Sequence, residues 1–168
     1  MNTYIENLHG LVSDVLAVQG VSDNEDGTYR IDYIDEPTPA QLSEINAILD
    51  SWPLEKAKLE KLETVDGEWR AVLKNGWTTQ YGWSLGLDIP DVALLNGNFV
   101  LAKEADSLGI SGSVFVVDIS GKSHELSFPE LTALMLQYGQ ARAALSAEDA
   151  SKRTAIQEAN TIEELMAL

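Results

Sequence analysis

Chemistry near neutral pH needs groups that titrate there, and His9 and His124 are the only histidines in the chain. They lie far apart in sequence, one beside the apolar stripe of a first helix and the other inside a hairpin, so each reads as a packing or surface histidine. With no cysteine there is no thiolate nucleophile, no disulfide framework and no cysteine-based zinc or iron–sulfur site. The acidic stretch Ser22-Asp23-Asn24-Glu25-Asp26-Gly27 invites a calcium reading, but an EF-hand loop needs glycine sixth and a bidentate glutamate twelfth. Placing Gly27 sixth puts Ser22 first and Tyr33 twelfth, so the loop fails at both ends and reads as an ordinary turn. Carboxylates abound, yet no two stand out in a setting that would raise one pKa as a glycosidase pair requires. A phosphate-binding Gly-x-x-x-x-Gly-Lys loop and a Gly-x-Gly-x-x-Gly turn are both missing from the sequence. The expectation is a protein that is not an enzyme, with no catalytic residue, no metal and no cofactor.

The net charge of −16, from 27 acidic and 11 basic side chains in 168 residues, is spread over both halves of the chain. Such a surface repels phosphate backbones and anionic membranes, so no nucleic-acid and no membrane partner is expected. No apolar run approaches the ~20 residues of a membrane-spanning helix, and Met1–Glu6 lacks the basic start of a secretory signal, which reads as cytosolic. A hydrophobic content of 45% suffices for a buried core.

The elements that would position these residues follow from periodicity and punctuation. Tyr4, Ile5, Leu8, Leu11, Val12, Val15 and Leu16 recur at helical spacing, with Gly20 as the stop, and Thr28–Ile34 alternates as a half-buried strand. Thr38-Pro39-Ala40-Gln41 is a capping box that opens a helix carrying Leu42, Ile45, Ile48, Leu49 and Trp52, which Pro53 either kinks or ends. Residues 54–74 read as a solvated helix with a narrow seam and a candidate break at Asp66-Gly67. An aromatic hairpin, Trp77–Leu85, precedes a helix started by Asp88 and Pro90 and carrying Val92, Leu94, Leu95, Phe99 and Leu101. The segments Gly112–Ile119 and Ser123–Leu126 pair as a β-hairpin across Ser120-Gly121-Lys122. Ser127-Phe128-Pro129-Glu130 then caps an alanine-rich helix striped by Leu131, Leu134, Met135 and Tyr138, which either restarts at Ser146 or runs on towards Asn160, and Thr161–Glu164 starts a last short helix.

The fold class is therefore α+β: an N-terminal helix–strand–helix unit (1–52), a helical connector (53–74) and a C-terminal module of β-hairpins packed on helices (75–168). The candidate partner-binding residues are the seam Leu59, Leu62 and Trp69 and the hairpin aromatics Trp77, Tyr81 and Trp83, because exposed aromatics anchor interfaces. A self-packing hairpin core and a sugar-stacking platform are the alternatives for the last three.

The segments Gly76–Trp83, Val114–Asp118, Leu126-Ser127-Phe128-Pro129-Glu130-Leu131 and Ala155-Ile156-Gln157-Glu158-Ala159-Asn160-Thr161-Ile162-Glu163-Glu164-Leu165 occur in an order that resembles a domain of tail-fibre and fibre-assembly proteins of bacteriophages and prophages. The closing segment is the specific part; a segment around Ser107–Ser113 interrupts the pattern. Residues 26–31, 37–42 and 52–55 also look like small phage tail accessory proteins. The resemblance implies a partner, the tail-fibre protein, and a role as an assembly chaperone in the host cytoplasm. Two alternatives stand beside it: a permanent subunit retained in the virion at the baseplate or fibre tip, and an acidic DNA mimic that inhibits a host protein. A homo-oligomer is compatible with each.

Overall fold

The computed structural model describes residues 3–24, 26–110 and 112–168. Met1 and Asn2, Glu25 of the acidic turn and Ser111 of the interrupting segment lie outside the described residues. The architecture is α+β, as its periodicities imply, and is 64% helical with small two-stranded antiparallel hairpins. The chain divides into two compact units, residues 1–61 with 156–168, and residues 62–155.

The first unit begins with α1 (Thr3–Val15), followed by β1 (Val18–Asp23) and β2 (Tyr29–Tyr33), which pair antiparallel with a bulge between Val18 and Gly20. The helix thus stops at Val15 and not at Gly20, and the unit is helix–hairpin–helix. A lone strand at 29–33 would leave its backbone unpaired. Val18 to Asp23 supplies the partner, and that pairing outweighs helical continuation. The acidic turn is held by its own side chains: Asp26 Oδ1 accepts from the Thr28 amide at 2.9 Å and the Thr28 hydroxyl at 2.6 Å. These bonds keep the Asp26 carboxyl below its ordinary value.

Next comes α2 (Pro39–Asn75), opened by the expected box: Gln41 Oε1 accepts from Thr38 N at 3.0 Å and from Thr38 Oγ1 at 2.8 Å. The helix continues through Pro53, which reads as a kink or an end, and through Gly67, a candidate break. Ile45 and Trp52 are buried before Pro53 and Val65 after it, so packing holds both sides and overrides local propensity. Residues 53–74 are therefore the continuation of one helix, shared between the units, instead of a separate connector. Leu8, Val12, Val18, Ile45 and Trp52 form the first core.

The closing stretch also belongs to this unit: Ile156, Ala159 and Leu165 are buried, and Lys58 Nζ donates to the Gln157 carbonyl at 3.1 Å. Its short helix α5 (Ile162–Met166), by our numbering the last, is capped by Thr161, whose Oγ1 accepts from Glu164 N at 3.1 Å. The compact units thus divide the chain at residues other than 52/53 and 74/75.

The second unit continues α2 into β3 (Trp77–Thr78) and β4 (Ser84–Leu85), then α3 (Ile89–Ser107), β5 (Ser113–Val117), β6 (Ser123–Ser127) and α4 (Phe128–Glu158). Asp88 caps α3 by accepting from Asp91 N at 3.0 Å, with Pro90 in the first turn. Glu130 accepts from Ser127 N at 2.8 Å and caps α4, which passes Ser146 without a restart. β5 and β6 pair Ser113 with Ser127 through Val117 with Ser123. Their inward residues Val116 and Leu126 meet Leu87, Leu95, Leu131, Leu134 and Tyr138 in the second core.

Candidate interaction site

The six residues expected to hold a partner are distributed over both units. Leu59 packs against the first core. Leu62 is half-buried, and Trp69 lines a hollow beside Val65, Val72 and Leu145, where the second half of α2 meets α4. Arg153 ties these helices together, donating to Asp66 at 2.7 Å and to Asp149 at 2.8 Å. Trp77 and Trp83 pack against the second core, and the ring of Trp77 meets Tyr138 edge-on at 6.0 Å. Tyr81 alone of the six is exposed. The aromatic hairpin therefore contributes chiefly to packing.

One end of that hairpin is a stack of three rings, Tyr81 on Trp83 at 5.9 Å and Trp83 on His124 at 4.2 Å, nearly parallel in both cases. His124 Nε2 donates to Asp118 Oδ2 at 2.7 Å. The other carboxylate oxygen accepts from Ser120 N, Ser120 Oγ and Lys122 N at 2.8, 2.6 and 3.0 Å. This fixes the turn between β5 and β6, where Gly121 takes the left-handed conformation at φ +83°. The bond from His124, followed by those from Ser120 and Lys122, holds the Asp118 carboxyl far below its ordinary value of 3.8, against the opposing effect of burial. A depressed carboxyl stabilises the fold above its unfolded value and loses that contribution as pH falls through the folded one. Asp118→Asn is therefore expected to melt below the parent chain at pH 7, with the gap narrowing steadily once pH drops below about 4. Thermal melts of both proteins from pH 7 to pH 2 check it; a gap independent of pH would assign the effect to the turn's shape instead of its charge.

Asp88 and Asp91 form a carboxylate pair that the sequence reading does not single out. Burial first, then the hydrogen bond and the charge of Asp88, push the Asp91 carboxyl above its ordinary value. The pair sits at the start of α3 on an exposed surface, and its geometry is that of a helix cap.

The larger departure from expectation lies in α3 and β5. Of the expected stripe Val92, Leu94, Leu95, Phe99 and Leu101, Leu95 is buried and Val92 and Phe99 pack against the second core, but Leu94 and Leu101 are 58% and 71% exposed, and Ala102 takes the other buried place. Because α3 spreads its apolar residues around the helix between polar ones, its pattern does not select a face. Beside it, Phe115 and Val117 on the outer face of β5 are 59% and 48% exposed, and Ile119 just beyond is 49% exposed. Asn98 Nδ2 donates to the Phe115 carbonyl at 3.2 Å and docks the strand on the helix. Leu94, Val117 and Ile119 border one hollow together with the polar Asp91, Asn98 and Asp118, so helix and strand each leave large apolar side chains uncovered around it. The signal for this exposure was present in Val114-Phe115-Val116-Val117: a strand apolar on both faces, in a sheet of two strands, cannot bury both against one layer of helices.

Among the described residues no group of three or more His, Asp or Glu side chains is placed to hold a metal ion, and no helix is long and apolar enough to cross a membrane. The chain matches no protein-family model, no curated protein and no solved structure.

Proposed function

We propose that this chain is a bacteriophage tail-fibre accessory protein that acts as an assembly chaperone, without enzymatic activity, on the C-terminal region of the fibre. The observation that carries the reading is the uncovered apolar surface of Leu94, Leu101, Phe115, Val117 and Ile119 on an otherwise strongly acidic chain. The likeness of the segments 76–83, 114–118, 126–131 and 155–165 to phage fibre-associated domains supports the same reading. Fibre ends expose apolar surface and unpaired strand edges until they trimerise, and such intermediates aggregate. A binder with an apolar patch covers that surface reversibly, and its net charge of −16 keeps the complex soluble.

Co-expression with the fibre tests this. The double variant Leu101→Ser/Phe115→Ser changes exposed side chains, so its own melt should stay close to the parent, as surface substitutions usually do. It is expected to lose co-purification with the fibre and to lower the yield of soluble trimer several-fold. A fibre that trimerises equally well without the chain, or a double variant as effective as the parent, removes the proposal. Mass spectrometry of mature particles distinguishes a departing chaperone from a subunit that stays on the virion.

A further inference from the structure

Arg142 presents a second, independent feature. In a chain where acids outnumber bases 27 to 11, a half-buried arginine would be expected to find a carboxylate, yet Arg142 has no hydrogen-bond or ion-pair partner among the described residues. It lies in a groove of about 510 Å³ between α3 and α4, within the range of small-ligand sites. Val92 and Met135 give the groove apolar walls, and Tyr138 adds another, because its hydroxyl is already committed to the Gly86 carbonyl at 2.6 Å. Asn96 and Ser146 offer neutral donors.

We infer that this groove binds a monocarboxylate with an apolar body, the carboxylate on the Arg142 guanidinium and the body against Val92, Met135 and the Tyr138 ring. A guanidinium presents two parallel donors that match a carboxylate, and partial removal from water strengthens that pair. Among the residues lining the groove, one cation with neutral helpers balances one negative charge, while the Asp88 and Asp91 carboxylates act on the Tyr138 ring from outside it. A dianion such as a phosphate monoester would leave an excess charge inside the field of a −16 protein, which favours a carboxylate. The carboxylate could end a peptide or belong to a free small acid; the chemistry in the groove is the same. This site does not depend on the fibre reading, since it uses other residues and another face of α3.

The test is a titration of the full chain followed by amide-resolved NMR, with phenylacetate and its uncharged counterpart phenylacetamide as probes. Phenylacetate is expected to shift signals around Asn96, Met135 and Arg142 saturably and to bind at least about tenfold more tightly than the amide. Arg142→Gln should abolish that preference, and Arg142→Lys, which retains charge without the planar fork, should weaken it. Acetyl-Ala-Leu with a free or an amidated C-terminus forms the second arm: tighter binding of the free acid than of phenylacetate assigns the site to a chain end, and weaker binding to a small acid. Equal binding of phenylacetate and phenylacetamide, or shifts located elsewhere, would overturn the inference without recourse to any variant. Unchanged binding in a folded Arg142→Gln chain would overturn it as well.

Discussion

Trp52→Ala is expected to remove about 3–5 kcal/mol from the first unit, the range for deleting a buried aromatic side chain. Trp52 is 2% exposed and sits among Leu8, Val12, Val18 and Ile45, all buried. The ring joins α2 to α1 and β1, elements too short to be stable without that core. A whole domain is stable by only about 5–15 kcal/mol, and a unit of this size stands towards the lower end, so the variant should populate unfolded first-unit states at ambient temperature. The indole nitrogen adds a second expectation, because Trp52 Nε1 is buried with no hydrogen-bond partner among the described residues. Trp52→Phe removes that unpaired donor along with part of the ring. The relief of about 1–3 kcal/mol offsets much of the lost packing, and its net cost should fall well below that of alanine. Urea melts followed by far-ultraviolet circular dichroism measure both. Equal losses for Phe and Ala would show that the indole ring is not the packed element described.

Gly76→Ala is the counterpart in the second unit. Gly76 ends α2 at φ +71° and donates to the Val72 carbonyl at 3.0 Å, a left-handed cap that costs a non-glycine residue about 1–2 kcal/mol. The heavier effect is steric. A Cβ there would lie 2.3 Å from the Leu85 carbonyl oxygen and 2.9 Å from its carbon, backbone atoms of the strand that pairs with Trp77. Relief requires β3 and β4 to part, and Leu85, 4% exposed in the second core, moves with them. Adding about 1.5–3 kcal/mol for its burial gives a loss near 3–5 kcal/mol. Gly82→Ala is the control: its φ is +84°, but nothing lies within 4 Å of the added carbon, so it should cost only the conformational share. Thermal melts of the two variants, together with the near-ultraviolet signal of Trp77 and Trp83, decide this. A Gly76→Ala chain no less stable than Gly82→Ala would mean that β3 and β4 yield freely at that point.

The amino-acid sequence alone determined the features whose causes are local. The caps at Thr38, Asp88, Ser127 and Thr161 each need only a side chain within three or four positions of the amide or carboxylate it meets, and all four form. The turn at Ser120-Gly121 and the strand-forming segments on either side of it likewise place β5 and β6. Tertiary structure alone decided what depends on a distant partner. Val18 to Gly20 reads as a helix end and Ser22-Asp23 as the start of a turn until Tyr29–Tyr33 is there to pair with them. Pro53 reads as a kink or an end and Gly67 as a candidate break, yet the flanking residues Trp52 and Val65 are buried on either side. The terminal residues 156–168 join the unit that begins the chain, a contact across the whole sequence that no periodicity encodes. Where α3 and β5 carry apolar residues on more than one side, composition requires that some of these residues stay exposed but not which. The choice of Leu95 and Val116 for the core, leaving Leu101 and Phe115 to solvent, is made by the packing of Leu131, Leu134 and Tyr138 against them. Arg142 carried no sequence signal, because an arginine without a partner is recognisable only once every carboxylate that might have paired with it has been placed elsewhere.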